Sequence, residues 1–440
     1  MMKRTIAVTG FVVAFTLACG VAEMKPRKVE GKADGPSSSR ARTRAVVEAT
    51  NSFLASLSSD QRHKVQFAFT LQKSGANAPF HRTTDGGVAP GAPVDGQRAG
   101  GGGPGRGPGG QGGPGGSRGP GGGPGGPGPG QDPTAGRKGS PGGGAGMGPP
   151  GGFIGEQYGQ AVWSNYPVSD VLRPGLRLGT LTGAQRTAVM HLLQTVLSPM
   201  GYQKVLEIMG SDQALTDAGT NFASGEGVYT IGIFGEPSAS KPWMLEFGGH
   251  HLGLNIVIAG ADGTMTPTLT GAQPSVYTSG GKTVRVLAKE NDTAFALLGS
   301  LTVKEKKQAV LNYEVHDLVL GPGQAGTQIQ PEGLKASGMS ANQRVMLLNV
   351  ISQWTGIVND AYATTRMAEI EDGLDQTYFA WSGPLTHEAG KNGSSYYRIQ
   401  GPRLVIEFSP QGVGGDPTMH VHTIYRDPTN DYGVMLTGAK

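Results

Sequence analysis

The sequence predicts an α+β fold, in which antiparallel sheet packs against capped helices in one large domain interrupted by a disordered insertion. Three observations predict it. Four stretches carry the same helix-start signature. The hydrophobic period switches from helical to two at Gly227 and again near Thr377. Residues 85–152 hold 33 of the chain's 75 glycines and almost no apolar side chains. Runs of helices alternating with runs of antiparallel strands mark α+β proteins. Setting aside the glycine tract and the N-terminal leader leaves roughly 300 residues, enough for one large core or two small ones.

Taken in order, the chain opens with Lys3 and Arg4 ahead of an apolar run from Ile6 to Leu17. That run is too short to span a bilayer and reads as an export signal over residues 1–22. Two processing routes fit. Gly20-Val21-Ala22 suits ordinary cleavage, and Thr16-Leu17-Ala18-Cys19 resembles the lipoprotein box, with Cys19 acylated. Either route gives an exported protein of the periplasm, the cell envelope or the medium, touching membrane only through a lipid anchor at Cys19. Cys19 is the one cysteine, so the exported part has no disulfide framework and no thiolate chemistry. Without Lys3 and Arg4, 35 basic residues face 33 acidic ones. So even a balance predicts no nucleic-acid partner. Residues 23–44 are polar and basic, and read as a disordered spacer.

The folded domain is expected over 45–440, with its first helix starting near Ala45 (Val46, Val47, Ala49, Phe53, Leu54 and Leu57 at helical spacing). The helix-start signature then appears at Ser58/Gln61, Thr182/Gln185, Thr302/Glu305 and Ser340/Gln343. Each is a capping box, Ser or Thr at the N-cap and Gln or Glu three residues on, with an apolar residue just before it. The recurrence reads as independent use of a good cap, with an old duplication as the alternative. The 85–152 tract has no fixed G-X-Y register, which excludes collagen, and cannot bury enough surface to offset its ordering entropy. Helices are predicted over 183–197 and 199–217, then strands over 227–234, 242–247, 251–259 and 264–269, with Asp262-Gly263 as a hairpin turn. Helices 303–313, 341–354 and 358–371 follow, and strands 377–382, 395–400, 403–408, 418–426 and 432–436 close the chain.

Four of nine histidines fall in two segments, His250 and His251 behind a glycine pair, and His420 and His422. Side chains two apart on a strand share a face, so His420 and His422 form an H-x-H pair suited to one metal ion. Neutral imidazole is the commonest ligand for zinc, copper or iron, and the expected cofactor is a divalent ion of that group. His250, His251, His420 and His422 are the candidate ligands. Glu407, which a glycine-rich loop could return toward His420, and its rival Glu246 are the candidate catalytic carboxylates. Unliganded, hydrogen-bonded strand histidines are the competing interpretation. Arg426-Asp-Pro-Thr-Asn-Asp-Tyr-Gly433 reads as a tight turn rather than a calcium loop, and Trp243, Trp381, Tyr396 and Tyr397 as core. There is no HExxH, no Gly-x-Ser-x-Gly and no P-loop.

Trp163-Ser-Asn-Tyr-Pro167, Gly249-His-His-Leu252 with Asn255, Tyr397-Arg-Ile-Gln-Gly-Pro402 with Ile406-Glu407, and His420-x-His422 with the 426–433 turn resemble the DUF3500 family of uncharacterised bacterial exported proteins. The resemblance implies a domain over 45–440 that does not require the glycine-rich insertion, and it supports the choice of histidines. It implies no reaction. The residues point to an exported metal-dependent hydrolase acting on a small-molecule or polymer substrate, with the oligomeric state open. The alternative is a non-catalytic envelope protein that binds a ligand or metal and uses its histidines structurally.

Overall fold

The computed structural model describes residues 36–70, 76–77, 155–220, 225–325, 327–413 and 415–438. The expected export signal, residues 23–35 of the expected spacer and the 85–152 tract lie outside the described residues. In chain order the first elements are α1 (Pro36–Ala55), α2 (Ser59–Val65), β1 (Gln66–Phe67), β2 (Ala76–Asn77), β3 (Glu156–Tyr158), β4 (Ala161–Trp163), β5 (Leu176–Arg177), α3 (Gly183–Val196) and α4 (Pro199–Asp217). Strands β6 (Thr230–Phe234), β7 (Trp243–Gly248), β8 (Leu252–Ala259), β9 (Asp262–Thr264) and β10 (Thr268–Ala272) follow, then the hairpin β11 (Val276–Ser279) and β12 (Lys282–Arg285). The rest comprises α5 (Ala288–Ser300), α6 (Val303–Ala309), β13 (Leu334–Lys335), α7 (Ala341–Thr355), α8 (Asp360–Asp372), β14 (Tyr378–Ser382), β15 (Tyr396–Gly401), β16 (Leu404–Pro410) and β17 (Val421–Arg426).

One 12-stranded, mostly antiparallel sheet organises these elements, in the order β1-β6-β7-β8-β10-β17-β16-β15-β14-β13, with β5 beside β6 and β9 beside β8. Leu252, Leu254, Ile256 and Ile258 of β8 share a cluster with helix residues such as Leu192, Leu193, Ile208, Trp354 and Ile351. Alternate positions on the strands, Val257, Leu269 and Ile424, pack on the opposite face under Trp163, Tyr158 and Tyr432. The sheet is thus buried on both faces, which explains runs of apolar residues where a one-sided sheet would alternate.

Several expectations shift for identifiable reasons. Helix α1 begins at Pro36, well before Ala45. Its polar first turns are held by hydrogen bonds instead of apolar burial: Ser39 donates to the carbonyl of Ala361 at 2.8 Å, and Thr43 donates to the carbonyl of Gly260 at 2.7 Å. Helix α5 lacks any start signal, because Leu287 at its N-cap sits at φ 58° and provides no side-chain cap. The expected hairpin turn Asp262-Gly263 is itself strand, the start of β9, and the chain turns at 260–261 with Gly260 at φ 65°. Of the strand expected over 264–269, β10 begins only at Thr268, after Pro267, which has no N–H to give a ladder. The segment 432–436 is not a strand. It is part of a 3-10 helix, Asp431–Leu436, with Tyr432 at φ 55° and Gly433 at φ 65°, and Tyr432 stacks on Tyr158 at 4.1 Å between centroids.

The four capping boxes belong to two copies of one arrangement. In the first, Gln185 Nε2 bonds Gln61 Oε1 at 3.0 Å and the carbonyl of Ser56 at 2.9 Å. In the second, Gln343 Nε2 bonds Glu305 Oε2 at 3.0 Å and the carbonyl of Ser300 at 3.1 Å. Arg186 caps the carbonyl of Leu178 as Arg344 caps that of Ala336. The strands correspond equally well. Gln66 pairs in parallel with Ile233 as Val310 does with Trp381, and Leu176 opposes Ile231 as Leu334 opposes Phe379. Gly175 and Gly333, at φ 101° and 97°, press on the carbonyls of Ile231 and Phe379 so closely that a Cβ would lie 2.0 and 2.2 Å away. The halves meet at β10 and β17. Across the helix linkers, Ser198 N–H donates to Ile357 and Asn359 N–H to Val196, each at 3.0 Å. The recurring caps therefore mark a structural repeat and not four unrelated helix starts.

Candidate metal centre

The seam between the halves also brings the histidine segments together. His422 on β17 faces Gly271 on β10, and His251 directly precedes β8, the strand on the other side of β10. A Cβ at Gly271 would sit 3.1 Å from the His251 ring and 3.3 Å from the His422 ring, so the glycine makes room for both. From the helical layer, α4 contributes Asp212. That residue continues the buried stripe Val205, Ile208, Met209, Leu215 and has no exposed surface.

His251, His420 and His422 turn their Nε2 atoms inward, at 3.3 Å between His251 and His420 and 3.0 Å between His420 and His422. Imidazoles that bind one zinc ion at about 2.0–2.1 Å hold their nitrogens roughly 3–4 Å apart, so this spacing fits a shared ion. The outward Nδ1 atoms are each anchored. His251 Nδ1 lies 2.6 Å from Asp212 Oδ1, whose other oxygen accepts from the Tyr229 hydroxyl at 2.6 Å. His420 Nδ1 lies 3.0 Å from the carbonyl of Val413, and His422 Nδ1 lies 3.2 Å from the Asn165 amide.

These anchors decide the tautomers. A carboxylate and a carbonyl only accept, so Nδ1 of His251 and of His420 carries the proton, and their two Nε2 lone pairs oppose each other at 3.3 Å. The Asn165 amide nitrogen donates to His422 Nδ1, which leaves the proton of His422 on Nε2, toward His420 Nε2 at 3.0 Å; turning the amide over would place His422 in the same state as the other two. Opposed lone pairs repel, and a shared cation relieves them. A proton is a poor choice here. Burial first, and then the neighbouring histidines, push the His420 pKa down to about 3 and that of His422 well below the usual imidazole range. Neutral inward nitrogens are the form a metal ion binds, and the three histidines could hold one.

His250 lies beside this trio instead of within it. Its ring stacks on His251 at 3.8 Å between centroids, with Nδ1 3.9 Å from Asp212 Oδ1. Asp212, His250 and His251 form a second grouping of metal-ligand type. There, however, the 2.6 Å separation of His251 Nδ1 from Asp212 is a hydrogen bond, shorter than two ligands of one ion would keep. Asp212 therefore orients His251, the carboxylate–histidine arrangement common behind metal ligands.

Glu407 and Glu246 are committed elsewhere. Glu407 accepts the backbone N–H groups of Val319 and Leu320 at 2.9 and 2.7 Å and the Tyr396 hydroxyl. Glu246 accepts the Val162 N–H at 3.2 Å, and desolvation raises its pKa well above the usual carboxylate range despite the Arg173 guanidinium. Among the described residues, no hydrogen bond or ion pair joins either carboxylate to a histidine. They tie the covering loops to the sheet. Asp427 and Asp431 are likewise paired, with Arg366 and Arg403 and with Arg426. Sequence reasoning missed Asp212, Tyr229, Asn165 and the Val413 carbonyl. Asp212 left a usable signal, an acid on the apolar stripe of an amphipathic helix, and Asn165 lay within the 163–167 stretch that carries the family resemblance.

The chain matches a family model described as protein of unknown function (DUF3500) over residues 155–434, which includes every residue of the histidine trio and its anchors. No curated protein matches the chain, and no solved structure does. The chain belongs to the DUF3500 family.

Proposed function

We propose that this protein is an exported metal-dependent hydrolase built around the trio His251, His420 and His422. The observation that carries the metal is the convergence of three Nε2 atoms, 3.3 and 3.0 Å apart along the trio, with the Nδ1 protons of His251 and His420 held outward by Asp212 and Val413. Structural zinc sites usually close with four protein ligands, whereas three histidines leave a position for water. A bound divalent ion lowers the pKa of such a water toward neutrality and generates a nucleophile for hydrolysis. Zinc is the first choice. Copper and iron suit the same imidazole set. The substrate class is a small molecule or polymer met outside the cytoplasm, and export rests on Lys3, Arg4 and the apolar run Ile6–Leu17. Deep burial of the trio favours one other reading, a non-catalytic envelope protein whose ion is structural.

Metal analysis of the purified protein tests the centre. One equivalent of zinc, copper or iron is expected in the wild type, and none in the variant His420→Ala/His422→Ala with its circular dichroism unchanged. A wild type that takes up none of the three would end the proposal. Turnover of esters, phosphoesters, peptides or glycosides that disappears on chelation separates the enzyme from the binding protein.

A further inference from the structure

We infer that Arg173 is a positioning residue of the metal centre, because its single guanidinium joins the segment that holds His422 to the corner that carries His251. This rests on the reading of the trio as a metal site. Two covering pieces of chain set where those imidazoles stand. Residues 163–167 supply Asn165, whose amide lies 3.2 Å from His422 Nδ1. Residues 248–251 turn into β8, with the Gly249 N–H on the carbonyl of Leu252 at 2.9 Å. Gly249 also lies against Tyr229, whose hydroxyl holds Asp212, so closely that a Cβ there would be 2.7 Å from the ring. Arg173 Nη2 donates to the carbonyls of Ser164 at 3.0 Å and Tyr166 at 2.6 Å, on either side of Asn165, and to that of Gly249 at 3.2 Å. Two hydrogens thus serve three carbonyls. Nη1 donates to the carbonyl of Val171.

These contacts close a ring. From Arg173 it runs to Gly249 and along the chain to His251, then across the Nε2 atoms of His420 and His422 at 3.3 and 3.0 Å. From His422 it passes to Asn165 and returns through the carbonyls of Ser164 and Tyr166. The ring fixes the trio's spacing before an ion arrives, so binding need not order two separate segments. The Arg173 side chain is buried, and burial lowers its pKa to about 10, against the pull of Glu246 and then Asp212. It stays a cation at neutral pH, and Asp212, the acid behind His251, helps to keep it so. Lysine cannot take its place. An ammonium presents three donors from one point, whereas the planar fork spreads its N–H groups over separated carbonyls.

The test measures zinc affinity of the full chain by competition with a chelator, in the wild type and in Arg173→Lys, which keeps the charge and loses the fork. Affinity should fall about 10–100-fold, as it does when a ligand loses its outer support. The visible spectrum of the cobalt-substituted protein should change with it, because His251 and His422 no longer keep their angle about the ion. Asn165→Ala cuts the same ring, so the double variant should lose clearly less than the two single losses combined. A merely structural arginine would lower the melting temperature alone. Affinity within twofold of wild type with an unchanged cobalt spectrum, or full additivity with Asn165→Ala, overturns the assignment and leaves the metal centre standing. If Arg173→Lys does not fold, amide hydrogen exchange of the wild type decides. Zinc should slow exchange over 171–173 as well as over 163–167 and 248–251, since the guanidinium passes the ordering on, and unchanged exchange over 171–173 overturns the role. A wild type that binds none of zinc, copper and iron overturns the metal centre itself, and this role with it.

Discussion

Asp212 carries the centre's orientation through one carboxylate, with His251 on one oxygen and Tyr229 on the other. Removing its charge while keeping its shape, in Asp212→Asn, should weaken metal affinity about 10–100-fold, as loss of such outer partners does. Competition with a chelator measures this, and affinity within twofold of wild type would show that Asp212 is only a packing residue. The trio also predicts a pH effect in the metal-free protein. With the folded-state pKa of His420 at about 3, below the ordinary 6.5, the unfolded chain binds the proton more readily. The stabilisation is then complete above pH 6.5 and is lost as the pH falls from there toward 3. Urea unfolding of wild type against His420→Asn should show the difference between them shrinking over that interval. A constant difference would be inconsistent with a depressed His420.

Among the elements, the paired capping boxes make the sharpest claim. Gln185 and Gln343 each complete a box and also tie it to the neighbouring helix pair. Replacing either with Ala should destabilise the protein by about 1–3 kcal/mol, since partly buried groups lose their partner. The two losses should be similar and should add to within about 0.5 kcal/mol, because the sites occupy equivalent places in different halves. Chemical denaturation of both single variants and the double variant checks this, and strong non-additivity would mean the halves do not unfold as the repeat implies. The same boxes show which elements could be read locally. Helices α3, α4 and α7 start where their caps predict, because a cap is satisfied within four residues. Helix α5 has no such signal, and the first turns of α1 exist only through partners on α8 and at Gly260.

At the scale of the molecule, the second half shows what the first requires. It runs from the parallel bridge at Val310 to Gly333 through the short segment 311–332, whereas the first half takes residues 68–174 over the corresponding passage. Most of that excess is the glycine-rich tract. A chain joining Thr84 to Phe153 should therefore melt within about 5 °C of the full protein, because loop closure entropy changes only slowly with length. A broad or non-cooperative transition by calorimetry would show that the tract contributes to folding. The repeat also accounts for there being one histidine trio among the described residues. Where His251 precedes β8, Arg403 precedes the equivalent β16 and pairs with Asp427 at 3.1 Å.

The starts of the capped helices, the two main blocks of strands and the four histidines were determined by sequence alone, since period, capping and residue type act over one or two turns of chain. The faces of β8 and β17 were legible too, because a strand's alternation settles them. Tertiary structure alone decided that β10 lies between those strands, that its Gly271 clears the space for two imidazoles, and that Asp212 enters from α4. It also turned Glu407 and Glu246 into anchors for loops. A carboxylate's role depends on which donors surround it, and these donors come from segments 88 and 84 residues away in the chain. No local pattern encodes a partner at that distance, so the ligands could be read from sequence while the groups that hold them could not.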